Sequence, residues 1–482
     1  MSKKRKRKRR RLNYNRVIGL CLVILFIIAG GAFVVRGINK KNNDQSKSHN
    51  NIVSAFNQDN EDVETYEASI LAAGDVMVHS PQLKAQYDSS TGTYNFDNNF
   101  KHVKKYVEEA DYSLANLETT LAGNDVYQYS SYPMFNSPDE LADALKNTGF
   151  DLLSTINNHS FDKGDLGVSR TLSTLKEKGF DTVGTRENKS DDDYLIKNIN
   201  NIKVGFTSYS YGDIKDGTKY LNGIQVSKES GDKMNVFDAS NVDNAFKTIS
   251  ATLDKMKDTD IQIVILHWGV EYTRDEISFQ NQLAQKLCDA GVDIIIGSHP
   301  HVVEPVETIT STDGKNECVV VYSLGNYISN QRRETVGAYS EDGLMVNFDI
   351  TKKSNEDKAT VKKVTCIPTW VNKYNNGSKD VYEIIPIDDD YDLNSISNLS
   401  ESKVEQSYDN TSSLIDNNDM PMPDFKIIEK YSAIGGTRIV LGSDAHQTER
   451  IFNKFETVLE KLPSGMVIGY YENRIFYPLY NV

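Results

Sequence analysis

Cysteine is scarce in this chain: four in 482 residues, with no CxxC spacing among them. That scarcity excludes a disulfide framework and leaves no thiol motif for metal or redox work. Cys288, Cys318 and Cys366 fall in apolar helix or strand patterns and read as buried small hydrophobes. Cys21, preceded by Gly19-Leu20, sits in an apolar run in a setting wrong for lipid attachment. Bases are also short outside the N-terminus. Residues 1–16 hold ten Lys or Arg and no acid, and Arg36 follows the apolar run; from residue 37 onward 43 bases face 68 acids, a net of −25. Such a body excludes nucleic acid as a partner, because phosphates need a basic face. It also repels a polyanion at long range, so any anion must be gripped locally by metal or backbone N–H groups. No internal repeat is present.

One long apolar run exists. Val17–Val35 is 19 uncharged residues, roughly 28 Å as a helix and about one hydrocarbon thickness. The basic run Lys3–Arg11 before it holds the N-terminus in the cytoplasm, placing the rest outside. The expected arrangement is a single-pass signal-anchor in the cell membrane with an extracellular main domain. A cleaved signal peptide is the rival reading, since the small residues Ala29–Ala32 suit a peptidase, but the run exceeds a usual signal core.

The expected organisation is a basic tail over 1–16, a transmembrane helix over 17–35, a polar stalk over 36–66, an α/β domain over 67–388, an acidic Ser/Asn-rich linker over 389–424 and a small α/β tail over 425–482. Strands are expected at Ser69–Val78, Tyr112–Leu117, Leu152–Ile156, Lys203–Tyr209, Gln262–His267, Asp293–Gly297, Cys318–Ser323 and Leu344–Ile350. Helices are expected at Asn99–Glu109, Pro138–Thr148, Gly167–Lys178, Asn241–Lys257 and Ser278–Ala290.

Of eight histidines, five stand where strands run out: His79, His159, His267, His299 and His301. Their neighbourhoods are AAGDVMVHS (72–80), INNHSFDKG (156–164), LHWGVEY (266–272) and IIGSHPHVVEPVE (295–307), accompanied by ANLETTL (115–121) and YSLGNYISN (322–330). In each, an apolar strand ends and a turn presents carboxylate, carboxamide or imidazole. Open α/β sheets place ligand sites at such strand ends. That donor mixture suits a divalent cation such as Mn²⁺, Fe²⁺ or Zn²⁺. On an extended chain His299 and His301 face opposite ways, so the pair can serve two ions if the loop bends between them.

The ordered set GDVM, NLE, NNH, HWG, GSHPH and SLGN, spread over Ala68 to Asn330, resembles the poly-γ-glutamate capsule synthesis family of CapA-like proteins, itself similar to the calcineurin-like metallophosphoesterases. The resemblance implies a four-layer α/β/β/α sandwich with a two-ion site. It implies Asp75 as first-strand ligand, Glu118 between the ions, Asn158, His267, His299 and His301 as further ligands, and His159 facing a leaving group. Two departures stand out: Met77 occupies the position of a ligand histidine, for which His79 is a substitute only across a bulge or a longer reach, and the bridging residue is Glu rather than Asp. Taken singly, each residue also has a plainer reading, Asp75 as a cap or His267 as a satisfied core imidazole.

Glu271, Glu304 and Asn326 are candidates for orienting the imidazoles. Arg332 and Arg333 suit bidentate grip of a carboxylate or phosphate, or else a solvated loop. His102 reads as a helix-surface residue and His49 as part of the stalk. In the tail, GSDAH with Asp444 and His446 resembles the last motif of the PHP phosphoesterases, without that family's early His-x-His, and reads as a docked remnant or a fortuitous strand–turn–helix. Three functions compete: a capsule-assembly factor acting on an anionic polymer, a general surface phosphoesterase, and a non-catalytic scaffold of a membrane-embedded synthase.

Overall fold

The strand Ile261–His267 (IQIVILH) shows how the layers arise. Ile263 and Ile265 point one way and Val264 and Leu266 the other, as the two-residue period of a strand dictates. Both faces are apolar, so both must be covered. In the computed structural model, which describes residues 63–388, 391–393, 396, 398–415 and 462 and the strand segments 438–439, 467–472 and 475–481, two large mixed sheets meet this demand. Ile263 and Ile265 join Phe206, Ile294, Ile296 and Val321 of their own sheet and Ile70, Ala72, Leu114, Leu152, Val346 and Phe348 of the other in one shared core. Val264 and Leu266 pack outward on Ile249, Leu253, Leu283 and Leu287 of the helices Val242–Leu253 and Ser278–Asp289. The far side of the other sheet is covered in the same way by Phe100, Leu141, Leu145 and Leu175. Helices, sheet, sheet and helices therefore stack in four layers.

In the first sheet, Thr65–Val76 runs parallel to Tyr112–Leu117, which continues to Leu152–Ser154 and Asp181–Val183; its other edge is extended antiparallel by Asp342–Lys353, Thr360–Asn375 and Asp380–Pro386. In the second, Ile202–Lys215, Ile261–His267, Ile294–Ser298 and Glu317–Val321 are parallel neighbours. The carboxyl ends of these parallel strands carry the histidine-bearing turns.

A register shift near Gly74 reverses the first strand's facing. Before it Leu71 and Ala73 face the outer helices; after it Val76 and Val78 do. Asp75, Met77 and His79 thereby take the opposite face. Glycine is required there, because a Cβ on Gly74 would lie 2.1 Å from the carbonyl oxygen of Gly325.

Several expectations need correction. The first strand starts at Thr65, inside the stretch read as stalk. The helix expected over Asn99–Glu109 is two short pieces, Asp97–Phe100 and Lys104–Glu109. His102 between them is not on the surface: its Nδ1 lies 2.8 Å from Tyr391 Oη and its Nε2 3.4 Å from the buried Glu383. The stretch read as linker includes the helix Glu401–Ser412, which buries Val404, Ser407 and Thr411; with one aliphatic residue on that face it has no apolar periodicity to read. Its Asn410 donates to Asp342 Oδ2 at 2.8 Å and accepts from Arg274. The thiols of Cys288 and Cys318 are buried and, like Cys366, free. Val17–Val35, most of the stalk with His49, and, within the tail expected over 425–482, Asp444 and His446 lie outside the described residues. Among the described residues no helix is long and apolar enough to cross a membrane.

Candidate metal centre

Asp75 stands in register with Asn116 on one neighbouring strand and with Asn326 on the other. Its Oδ1 accepts from Asn116 Nδ2 at 2.8 Å, and its Oδ2 lies 3.2 Å from His301 Nδ1. Glu118, the first residue beyond Leu117, points its Oε1 to within 3.7 Å of Nε2 of both His267 and His301. From the second sheet, His267 sits in register with Ser298, whose Oγ is 2.9 Å from His267 Nδ1. His267 Nε2 lies 2.9 Å from Asn158 Oδ1. The His299 ring is 4.8 Å from that of His267, with Tyr211 packed 4.7 Å away.

Donor atoms of Asp75, Glu118 and His301 all lie within 4.8 Å of one another, as do those of Glu118, His267 and His299, and those of Glu271, His299 and His301. Glu118 belongs to the first two groups and so stands between them. His299 and His301 reach different Glu118 groups while sharing the Glu271 group, on a loop that bends sharply, with φ of +102° and +57° at the two residues. Two non-glycine residues in the left-handed region within three positions signal a backbone held in place by its surroundings.

The donors fit cations. Burial, and then the charges of Asp75 and Glu271, push the Glu118 carboxyl well above its ordinary value. Burial and neighbouring imidazoles push His267 and His299 well below theirs, so both rings are neutral and each carries a nitrogen lone pair. Glu118 Oε1 and His299 Nδ1 are buried without a hydrogen-bond partner. Among the described residues, the ion pairs of Asp75 and Glu118 are with histidines. Carboxylates, unpartnered donors and neutral imidazoles converging in a dry site are a donor set that divalent ions fit.

Residues 69–331 match the family described as bacterial capsule synthesis protein, PGA_cap. The chain belongs to this capsule synthesis family. It is 32% identical over 246 residues to capsule biosynthesis protein CapA of Bacillus anthracis, covering 49% of this chain and 55% of that one. It is 30% identical over 299 residues to PGA biosynthesis protein CapA of Bacillus subtilis strain 168, covering 60% and 70%. It thus spans about half the length of the first relative and more of the second. Among solved structures it is similar to a phosphatase of Mycoplasma pneumoniae (TM-score 0.37, 15% identity, covering 63% of this chain and 94% of that one). It is also similar to the calcineurin-like phosphoesterase YfkN of Bacillus subtilis (TM-score 0.36, 17% identity, 73% and 98%).

Within this capsule synthesis domain the other candidates take varied places. His159 does not join the three groups; its Nδ1 is 2.8 Å from Asp162 Oδ2, and Phe135 stands edge-on at 4.7 Å. His79 stands apart as well: its Nδ1 accepts from the Asn330 N–H at 3.2 Å, and burial, with the nearby His301, lowers it to about 4. Asn326 orients the site through the backbone, donating to the carbonyl of His301 at 3.2 Å. Glu304 orients no imidazole. Its Oε2 accepts from Gln280 at 2.7 Å, and burial pushes its carboxyl up to about 9. Arg332 is neither a free anion grip nor solvated: it is buried, 3.0 Å from Glu341, and donates to the Val371 carbonyl at 2.8 Å. The half-buried Arg333 is held by its backbone N–H on Glu341 at 3.3 Å.

Asn116, Asp162, Phe135, Tyr211 and Ser298 were not singled out from the sequence. Two of them carried a signal. Asn116 lies two residues before Glu118 and so on the same strand face, and Asp162 lies one helical turn after His159.

Proposed function

We propose that this chain is a membrane-anchored, extracytoplasmic capsule-assembly protein. On this reading its sandwich, of metallophosphoesterase type, holds two divalent ions (Mn²⁺, Fe²⁺ or Zn²⁺) and acts in making, exporting or anchoring an anionic polymer of poly-γ-glutamate type. The observation that carries the reading is Glu118, shared between the Asp75–His301 and His267–His299 groups. Asp75, Glu118 and His301 would hold one ion and Glu118, Asn158, His267 and His299 the other. Such a pair supplies Lewis acidity toward a phosphoryl or similar oxygen. His159, tied through Nδ1 to Asp162, leaves Nε2 to take up a proton from solvent and pass it to a leaving oxygen. Phe135 and Tyr211 exclude water from the imidazoles they cover.

The cations also answer the charge problem: with a net of −25 beyond residue 36, only a local positive centre retains a polyanion. The anchor reading is supported by Val17–Val35 after the basic run Lys3–Arg11, which also allows contact with a membrane-embedded synthase. Nucleic acid is not an expected partner.

The test is metal content of the full chain beside Asp75→Ala and His267→Ala, with bis-(p-nitrophenyl) phosphate and poly-γ-glutamate as probes. Two ions, fewer in both variants, with polymer binding that chelation abolishes support the proposal. Two ions with phosphodiester turnover and no polymer binding move the protein to a general phosphoesterase. No bound ion leaves a scaffold.

A further inference from the structure

The two ion positions are unequally furnished. Glu118, Asn158, His267 and His299 offer four donors to one, whereas Asp75, Glu118 and His301 offer three to the other. The shortfall traces to Met77, which shares the strand face of Asp75 but carries a thioether, a poor donor to a cation that oxygen and imidazole suit. His79 does not make up the difference, because its Nδ1 is engaged with Asn330 and its ring stands edge-on to Phe135 at 5.2 Å.

A carboxylate approaches from the opposite, solvent side. Glu271 is exposed, yet its oxygen lies within 4.8 Å of nitrogens of both His299 and His301. It is brought there by a tightly tied loop. Trp268 donates from its backbone to Ser298 O at 3.0 Å and from Nε1 to Tyr322 O at 2.9 Å. Gly269 turns at φ +88°, and the Tyr272 N–H donates at 2.8 Å to the carbonyl of Pro300, the residue between the two histidines. The loop is thus fastened to the His299-Pro300-His301 turn on either side of Glu271.

We infer that Glu271 is the replacement ligand, completing from the solvent side the ion position that Met77 leaves one donor short. This rests on the two-ion reading above. It also sets the two positions apart: the His301 ion depends on an exposed carboxylate and is the more readily exchanged, while the His267 ion is enclosed by buried donors.

The experiment titrates the metal-free full chain with Zn²⁺ against a chelating indicator, for wild type, Glu271→Ala and Glu271→His. Because Glu271 is exposed, thermal melting in chelator is expected to be unchanged and serves as the folding control. Wild type is expected to take two ions. Glu271→Ala should keep one and bind the second at least tenfold more weakly, and Glu271→His should retain the second through its imidazole. Both variants losing the ion alike would reduce Glu271 to a source of negative charge and overturn the ligand role. Wild-type affinity for both ions in Glu271→Ala would overturn it too. A wild type that takes no ion removes the two-ion reading itself, a failure distinct from either of these.

Discussion

Asn116 donates its side-chain amide to Asp75 Oδ1 at 2.8 Å and accepts at its own Oδ1 from Asn157 Nδ2 at 3.2 Å. Asn157 in turn donates to the Leu117 carbonyl at 2.8 Å. Two adjacent parallel strands are thereby stitched at the level of the site, and the Asp75 carboxylate is turned so that its other oxygen faces His301. Partners of this kind set ligand orientation, and their loss typically costs 10–100-fold in metal affinity. Asn116→Ala is therefore expected to weaken divalent-ion binding by about that factor while the fold persists. Indicator competition measures it; unchanged affinity would show that Asp75 is held without Asn116.

Asp162 makes a different prediction, one about proton position. Its Oδ2 accepts from the Phe135 N–H at 2.6 Å and lies 2.8 Å from His159 Nδ1. A carboxylate only accepts, so it holds the His159 proton on Nδ1 and leaves the lone pair on Nε2, 3.4 Å from Asn222 Nδ2. In Asp162→Asn the amide can present either end, and the tautomer preference is lost. Nitrogen chemical shifts of His159 should report this directly. On a substrate that the chain turns over, rates should fall by about 10²- to 10⁴-fold with metal content unchanged.

How far these features were legible follows from where their causes lie. Buried parallel strands are continuous apolar runs, so LHWG and IIGSHPH announced both a strand and the polar turn that ends it. The antiparallel strand Thr360–Asn375 was not seen, because its first seven residues are exposed or half-buried and it carries Lys362, Lys363 and Pro368. Arg332 read as a loop cation since its partner, Glu341, and the carbonyl of Val371 reach it only through tertiary folding. Asn116 and Asp162 sat inside the motifs, but their work is done on other residues' side chains, which spacing alone does not assign. The helix Glu401–Ser412 was hidden by its composition: its buried face is mostly Ser and Thr.

Glu304 ties stability to pH. Its carboxyl is buried with one oxygen unpartnered and the other on Gln280, and burial raises it from 4.5 to about 9. A group raised in the folded state holds a proton that the unfolded chain releases. Its favourable contribution is complete below pH 4.5 and drains away as pH climbs toward 9. Glu304→Gln keeps the shape without the titration. It should nearly match wild type near pH 5 and exceed it at pH 8.5 by several kcal/mol, on the order of 5. Urea unfolding at the two pH values decides the matter. Equal stability at both would mean that the Glu304 carboxylate is accommodated in the fold.

Removing the ions should cost stability as well as binding. Asp75 and Glu118 are both fully buried, and among the described residues their ion pairs are with histidines alone. Without cations the two carboxylates repel and Glu118 is pushed toward its protonated form, and both outcomes disfavour the folded state. A ligand present at about 100 times its dissociation constant contributes about 2.7 kcal/mol to folding. Exhaustive chelation of the full chain should therefore lower its melting midpoint by several degrees, with recovery on adding Mn²⁺ or Zn²⁺ but not Na⁺ at equal ionic strength. Asp75→Asn should blunt this response, because its first ion position has lost a charged donor while its unfilled site carries less repulsion. A midpoint indifferent to chelation, in a chain shown beforehand to carry metal, would place that metal outside the Asp75–Glu118 pair.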